Sequence, residues 1–388
     1  MMKLLFAAAS SIVLCLTSSQ VLAKSTTYLS VEESRIAKAQ KAMPKVTNLF
    51  SAELEAFERK LASVSSSVVL EKALVAEGKA IFSNAIEQIQ SSQSYDDRAL
   101  YWARLQMAKL IRGNLVFRAL DNEEQARLMF AFELASRGYG QTSFTQKTDK
   151  KILVTGFDPF FLDRNIAQSN PSGIAAMMFD NKVVEIDGQS AEIQAMMIPV
   201  RFADFDQGMI ETMLAEHFSD VDMIATISMG RTDFDLERFP GLRRSANAPG
   251  NLNVFTGATS DNPLIPFYRG ELLNGPEFVE FSLPVKAMQK ATGKYQVIDN
   301  HQVETVKRGK FEAKNLAELR EATSVNGGGG GYLSNEISYR SIVLRNQLNP
   351  NLPVGHIHTP RIKEWKRVEV KAIVDQIEAM LAQAIPAI

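Results

Sequence analysis

Apolar positions in the first third of the chain recur at spacings of three and four, the period of a helix with one buried face. Leu54, Phe57, Leu61 and Val64 form one such stripe, and Leu70, Leu74, Ile81, Ala85 and Ile89 continue it. Two more lie on Leu100, Leu105, Ala108 and Ile111, and on Leu128, Phe132 and Ala135. The start signals agree with the stripes. Ser30-x-x-Glu33 and Asp121-x-x-Glu124 read as capping boxes, and Pro44 limits the first short helix. Residues 24–149 are therefore expected to form a bundle of four or five helices. Trp102 is read as part of its core.

Past Lys150 the pattern changes. Short apolar runs at 151–155, 192–200, 222–228, 295–298 and 354–358 alternate with helical periodicity at 204–217 and 363–384. Such alternation predicts an α/β domain over 150–388 with a mainly parallel central sheet. In such sheets, functional groups gather beyond the carboxyl ends of the strands. The strand-end loops carrying Phe157, Arg231 and Glu237 are the places to look. Residues 251–295 are rich in Asn, Gly and Pro and read as an irregular excursion.

The first residues follow neither pattern. Met1-Met2-Lys3 is a short basic start, and residues 4–16 are apolar except for Ser10 and Ser11. This is the sequence of a secretory leader, with cleavage expected after Ala23. The run is shorter than the roughly 20 residues of a membrane span. A periplasmic or secreted protein is expected, with no membrane span after cleavage. Cys15 is the only cysteine. It would leave with the leader, so neither a disulfide nor a thiolate nucleophile is expected in the mature chain. The formal net charge of −1 over 388 residues gives no reason to expect nucleic acid as a partner. No cofactor and no metal are expected.

Chemistry then narrows to a few residues. Gly327 to Gly331 are five consecutive glycines running into Tyr332-Leu333-Ser334-Asn335 and a helical stretch. Read one way, this is a flexible linker with a capping serine. Read the other way, it is a glycine turn that aims helix N-terminal N–H groups at a developing oxyanion, with Ser334 as nucleophile. A serine nucleophile needs a base, and the base an orienting acid. His358, at a strand end before Thr359-Pro360, and Glu237, after the Gly230-Arg231 turn, are candidates. His217 reads as solvated and His301 as a turn residue. His356 and His358 are read as facing opposite sides of one strand, which disfavours a shared metal.

At these residues the chain resembles the pyroglutamyl peptidase I (pyrrolidone carboxyl peptidase) family. Gly156-Phe-Asp-Pro-Phe160 resembles its G-F-[ED]-P-F loop, and Asn170-Pro-Ser172 its N-P-S. Ile198-Pro-Val200, Gly230-Arg231 and Glu237-Arg238 resemble L-P-V, G-R and E-R elements. Gly330-x-Tyr-Leu-Ser-Asn335 resembles the nucleophile segment G-x-Y-L-C-N, and Gly355-His-Ile-His-Thr-Pro360 resembles G-F-I-H-V-P. The resemblance runs from about Lys150 to the C-terminus and leaves out the helical part and the excursion. It implies a three-layer α/β/α sandwich and removal of N-terminal pyroglutamate from a peptide or small amide. Ser334 would stand in place of the family's cysteine, His358 would be the general base and Glu237 would orient it. Phe157 and Phe160 would flank the lactam ring. Three departures stand out: the cysteine is Ser334, the family's R-I-P-D-N reads Asn247-Ala-Pro-Gly-Asn251, and the residues before the nucleophile are glycines. The alternative is an inactive pseudo-peptidase that binds a ligand or a protein. The helical part is a candidate cover for the active-site mouth.

Overall fold

The computed structural model describes residues 29–388. The expected leader, residues 1–23, lies outside the described residues. Four longer helices dominate the first part: α1 (Ser51–Ala62), α2 (Ser67–Ser92), α3 (Arg98–Gly113) and α4 (Asn122–Ala135). Short helices at Val31–Ser34, Ile36–Ala42, Pro44–Thr47 and Leu115–Arg118 join them. The Ser30 box closes in both directions. Asp121 caps the Glu124 N–H at 2.8 Å, but the Glu124 carboxylate turns to Arg127 and leaves that box half made. Trp102 is buried. Among the described residues, no helix is long and apolar enough to cross a membrane.

The second part is built on a seven-stranded sheet. Its strands are β1 (Lys150–Phe157), β2 (Lys182–Ile186), β3 (Gln189–Ile198), β4 (Met223–Met229), β5 (Phe234–Glu237) and β6 (Val297–Asn300). Three short strands, β7 (Gln302–Thr305), β8 (Gly309–Glu312) and β9 (Ser324–Asn326), form a separate antiparallel sheet. The last strand, β10 (Val354–Thr359), returns to the main sheet, whose order is β2-β3-β1-β4-β10-β5-β6. The central four strands are parallel. Their near-continuous apolar burial is what covering both faces requires. Strand β2 pairs antiparallel at one edge, and β5 and β6 run against β10 at the other.

Helices α5 (Pro171–Phe179) and α7 (Arg367–Ala384) pack together over one face, while α6 (Leu333–Leu348) covers β4 and β10. This is the α/β fold with a mainly parallel sheet that the alternation predicts, preceded by helices. The stretch expected as one helix over 204–217 is broken into Phe202–Asp206, Met209–Leu214 and a 3-10 turn at Ala215–His217. Glu237 is not on a loop as expected. It ends β5, with Asn300 as its partner in register.

One hydrophobic core runs through both parts. Leu74, Ile81 and Phe132 belong to the same buried cluster as Ile152, Ile174 and Ile227. Helix α2 packs directly on α5. Asp97 adds a polar tie, accepting the Asn170 N–H at 3.0 Å beside the start of α5.

A buried ionic cluster sits at the same junction. Glu133 on α4 takes Arg104 at 2.6 Å, Arg137 at 3.1 Å and Arg201 at 2.9 Å. Arg104 and Arg137 continue to Asp158 at 3.2 and 2.7 Å. Asp158 directly follows Phe157 at the end of β1, so the helices grip the loop that opens the candidate site. Among the described residues, none that lines the cavity described below comes from the helical part. Through this cluster the helical part buttresses the site.

Candidate active site

The chain ends of β1, β4 and β10 bring Phe157, Met229 and His358 to the carboxyl edge of the parallel strands. A cavity of about 340 Å³ opens there, lined by Phe160, Met229, Arg231, Gly327 to Gly330, Tyr332, Ser334 and His358 among others. Of the residues singled out in the sequence, Ser334, His358, Phe160 and Arg231 meet in this cavity. Glu237 lies beneath it.

Glu237 is fully buried. It sits diagonally across the β5–β10 pair from His358, within reach of a long side chain. His358 Nδ1 meets Glu237 Oε1 at 2.5 Å. A carboxylate only accepts, so Nδ1 carries a proton, and in the neutral ring Nε2 is left as an acceptor. Asn300 donates to the other Glu237 oxygen at 2.6 Å and to the Gly328 carbonyl at 3.3 Å. Asn300 was not singled out in the sequence. It ends a four-residue strand without a motif, and only its pairing with Glu237 reveals it.

The glycine run is no linker. Gly327, Gly328 and Gly329 are buried, and Gly327 and Gly330 exchange backbone hydrogen bonds at 3.0 Å. A Cβ on Gly328 would lie 2.7 Å from Glu237 Oε2, so a side chain there would displace the acid. Gly330 has φ +84°, a conformation that closes the turn and suits glycine. The turn delivers the chain into α6, where Leu333, Ser334 and Asn335 are the first three residues. Their N–H groups have no carbonyl of a preceding turn to bond, and no side chain caps this end. Asn335 clamps the turn by bonding both the N–H and the carbonyl of Gly241, at 2.9 and 2.7 Å.

Ser334 is half-buried at the cavity wall. Its hydroxyl donates to the Gly329 carbonyl at 3.2 Å. Among the described residues, no hydrogen bond joins it to His358. The acid–base pair is therefore formed, while the hydroxyl is turned onto its own glycine loop.

Phe157 and Phe160 both line a recess of about 30 Å³ that shares Met229, Tyr332 and Ser334 with the larger cavity. Phe157 is buried and stacks on Phe205, with ring centres 6.4 Å apart. Phe160 is half-buried against Phe161. The departed Asn247–Asn251 segment stays close to the site. Tyr332 donates to the Pro249 carbonyl at 2.8 Å, and Asn251 donates to the Pro159 carbonyl at 2.8 Å.

The expectation for His356 and His358 fails, because residues two apart on a strand share a face. Their rings meet edge to face, 5.0 Å between centres. They still do not share a metal-like arrangement. His356 is spent on Thr226 and Ser228 hydroxyls at 2.8 and 2.7 Å. Burial pushes its pKa well below the ordinary imidazole value, and His358 beside it adds to the effect. His217, read as solvated, is buried, and burial lowers its pKa too. Asp235, Glu237 and His358 bring ligand atoms within 4.8 Å of one another. Both Glu237 oxygens already accept N–H groups, so the cluster is organised around the histidine. Burial, then the Glu237 charge, raises the Asp235 pKa.

Burying neutral His356 has a measurable consequence. A histidine with a depressed folded pKa gives stability that is complete above the unfolded value and is lost as pH falls below it. Unfolding midpoints in urea are expected to drop as pH falls below the ordinary imidazole value of 6.5. His356→Gln should flatten part of that slope, and an unchanged slope would refute the assignment.

Fold and site together define a peptidase-like α/β fold that carries a buried Glu–His pair beside a helix N-terminus. Comparisons with known proteins support the peptidase-like fold at a distant level. Residues 14–133 match the family model "PA0049 N-terminal domain", and residues 151–270 and 299–363 match "PA0049, C-terminal domain". A Pseudomonas aeruginosa protein described as "Uncharacterized protein PA0049" is 26% identical over 76% of this chain and 70% of its own length. The pyrrolidone-carboxylate peptidase of Lacticaseibacillus paracasei is 24% identical over 55% of this chain and 79% of its own. The solved pyrrolidone carboxyl peptidase of Pyrococcus furiosus, as an E192I mutant, aligns with 61% of this chain and 99% of its own, at 20% identity and a TM-score of 0.42. The second part of the chain is thus distantly similar to pyrrolidone carboxyl peptidases. The helical part lies in the region of the separate N-terminal model.

Proposed function

We propose that the protein is an exported, serine-dependent hydrolase that removes an N-terminal pyroglutamate or cleaves a related blocked amide. The observation that carries this reading is the buried Glu237–His358 pair beside Ser334 at the uncapped start of α6. Similarity to pyrrolidone carboxyl peptidases supports the substrate class. Export rests on the leader-like sequence of residues 1–23. It gives an oxygen nucleophile a rationale, because an exported thiolate is exposed to oxidation.

The chemistry follows from the proton assignment. Ser334 Oγ rotates off Gly329 and attacks the amide carbonyl carbon while its proton passes to His358 Nε2. Glu237 stabilises the resulting imidazolium and holds the ring. The carbonyl oxygen becomes an oxyanion facing the N–H groups at the start of α6. Collapse breaks the C–N bond, and His358 returns the proton to the leaving amine. Water then gives a proton to His358 and bonds to the acyl carbon, the bond to Ser334 Oγ breaks, and His358 returns the proton to Oγ. The lactam ring enters the recess between Phe157 and Phe160.

One observation favours a second reading. The Ser334 hydroxyl already donates to Gly329, which suits a site that binds a ligand without turning it over. A chromogenic pyroglutamyl amide and the matching prolyl amide separate the two. Hydrolysis of the first alone by the wild-type protein is expected. No turnover by wild type, with turnover appearing in Ser334→Cys, would make the protein a pseudo-peptidase.

A further inference from the structure

The candidate nucleophile stands between two chambers of opposite character. The recess on one side is walled by Phe157, Phe160, Val200 and Leu333. The larger cavity on the other side is lined by Arg231, Lys310 and Arg361, and by a single acid, Glu304. None of the three cations lines the recess. They come from three separate places: the turn after β4, strand β8 and the turn after β10. Their convergence is a product of the fold and is invisible in the near-neutral charge of the whole chain.

These cations are also unspent. Ion pairs elsewhere occupy Arg238, Arg244 and Arg340. Among the described residues, no carboxylate pairs with Arg231, Lys310 or Arg361. All three are exposed. Glu304 faces Lys310 across the β7–β8 pair, but its carboxylate is taken by the Asn326 amide. The cavity wall therefore carries three positive groups and one negative group. A cleft lined by one sign of charge concentrates and orients ligands of the other sign.

We infer that the part of the substrate beyond the scissile amide is anionic, a peptide carrying a carboxylate close to the cleaved bond. This rests on the hydrolase reading for its direction. The blocked, uncharged ring fills the apolar recess, and the leaving amine with its carboxylate lies in the basic chamber. Guanidinium groups suit a carboxylate, because their paired N–H donors match its two oxygens. The carboxylate can belong to a free C-terminus or to an acidic side chain.

Four peptides test this on the intact protein: pyroglutamyl-alanine amide, free pyroglutamyl-alanine, pyroglutamyl-glutamyl amide and pyroglutamyl-lysyl amide. The two anionic peptides are expected to exceed the lysyl amide in kcat/KM by about 10-fold at low salt. That margin should shrink at about 0.5 M salt, where screening is short-ranged. The double substitution Lys310→Gln with Arg361→Gln should narrow it as well. A margin for free pyroglutamyl-alanine alone points to the C-terminal carboxylate, and a margin for the glutamyl amide alone to the side chain. Equal rates for the glutamyl and lysyl amides and for free pyroglutamyl-alanine would overturn the inference, while turnover of the neutral amide would leave the hydrolase reading standing. If none is cleaved, calorimetric binding of the same four peptides decides. Anion preference that the double substitution weakens keeps the inference and sinks the hydrolase. Binding without charge preference, or no binding at all, overturns it.

Discussion

Ser334→Ala is expected to lower hydrolysis of a pyroglutamyl amide by about 10³-fold or more, since it removes the nucleophile that the base serves. The fold should survive, because the side chain is half-buried and its one hydrogen bond is to Gly329. Glu237→Gln should cost about 10²–10⁴-fold, within the range of general-base assistance. The second substitution acts through His358. A neutral amide no longer fixes the Nδ1–H tautomer or stabilises the imidazolium that forms when Ser334 gives up its proton. The two losses should not add, because both disable one proton transfer. Measuring kcat and kcat/KM for each single variant and the double variant checks this. A Glu237→Gln enzyme with wild-type kcat would show that the short contact to His358 is structural only. Ser334→Cys probes the same geometry differently. A thiolate can form beside His358 at a helix N-terminus before attack, whereas a hydroxyl cannot. Retained activity in that variant would show that the site accommodates the thiol that the resemblance to the pyroglutamyl peptidase I segment implies.

The sequence disclosed the parts of the site that repeat a pattern. The alternation past Lys150 identified the parallel strands because each is a buried apolar run. Motif order picked out Ser334, His358 and Glu237, which the fold gathers at one edge. What stayed hidden depends on contact. Strand β5 is four residues long and buried throughout, so no period could separate it from a loop. Strand β2 was overlooked even though Asp187-Gly188, both at positive φ, marks the hairpin to β3. Asn300, Lys310 and Arg361 are unremarkable residues until tertiary structure brings them to Glu237 and the cavity. The glycine run allows two readings from sequence, and contact decides between them. Its composition suits a linker, but it is buried under Glu237 and Asn335, a packing that no composition reveals.

The helical part ties to the site through charge, and removing one charge should be costly. Glu133→Ala is expected to destabilise the protein by about 3–5 kcal/mol, the cost of breaking a buried ion pair by deleting one partner. Glu133 is buried among Arg104, Arg137 and Arg201. Burial raises its pKa, but the Arg201, Arg104 and Arg137 charges overcome that and hold it well below the ordinary carboxylate range. Glu32 shows the contrast. Arg201, at 3.2 Å, is its one ion-pair partner among the described residues, Tyr101 donates to it at 2.9 Å, and burial together with the nearby Glu133 and Asp158 charges raises its pKa. Glu133 is thus the carboxylate that meets all three guanidiniums, and its loss takes one partner from each, leaving Asp158 to Arg104 and Arg137 and Asp204 to Arg201. Its depressed pKa sets the sign with pH. The stabilisation is complete above the unfolded value and is lost as pH falls through the lower folded one. Urea midpoints of wild type and Glu133→Ala should therefore differ at neutral pH and converge in acid. The same substitution loosens Arg104 and Arg137, which hold Asp158 beside Phe157. KM for a pyroglutamyl amide is expected to rise in this variant more than kcat falls, since the recess is disturbed while Ser334, His358 and Glu237 are untouched. A large loss of stability with an unchanged KM would show that the helices support the fold without shaping the recess.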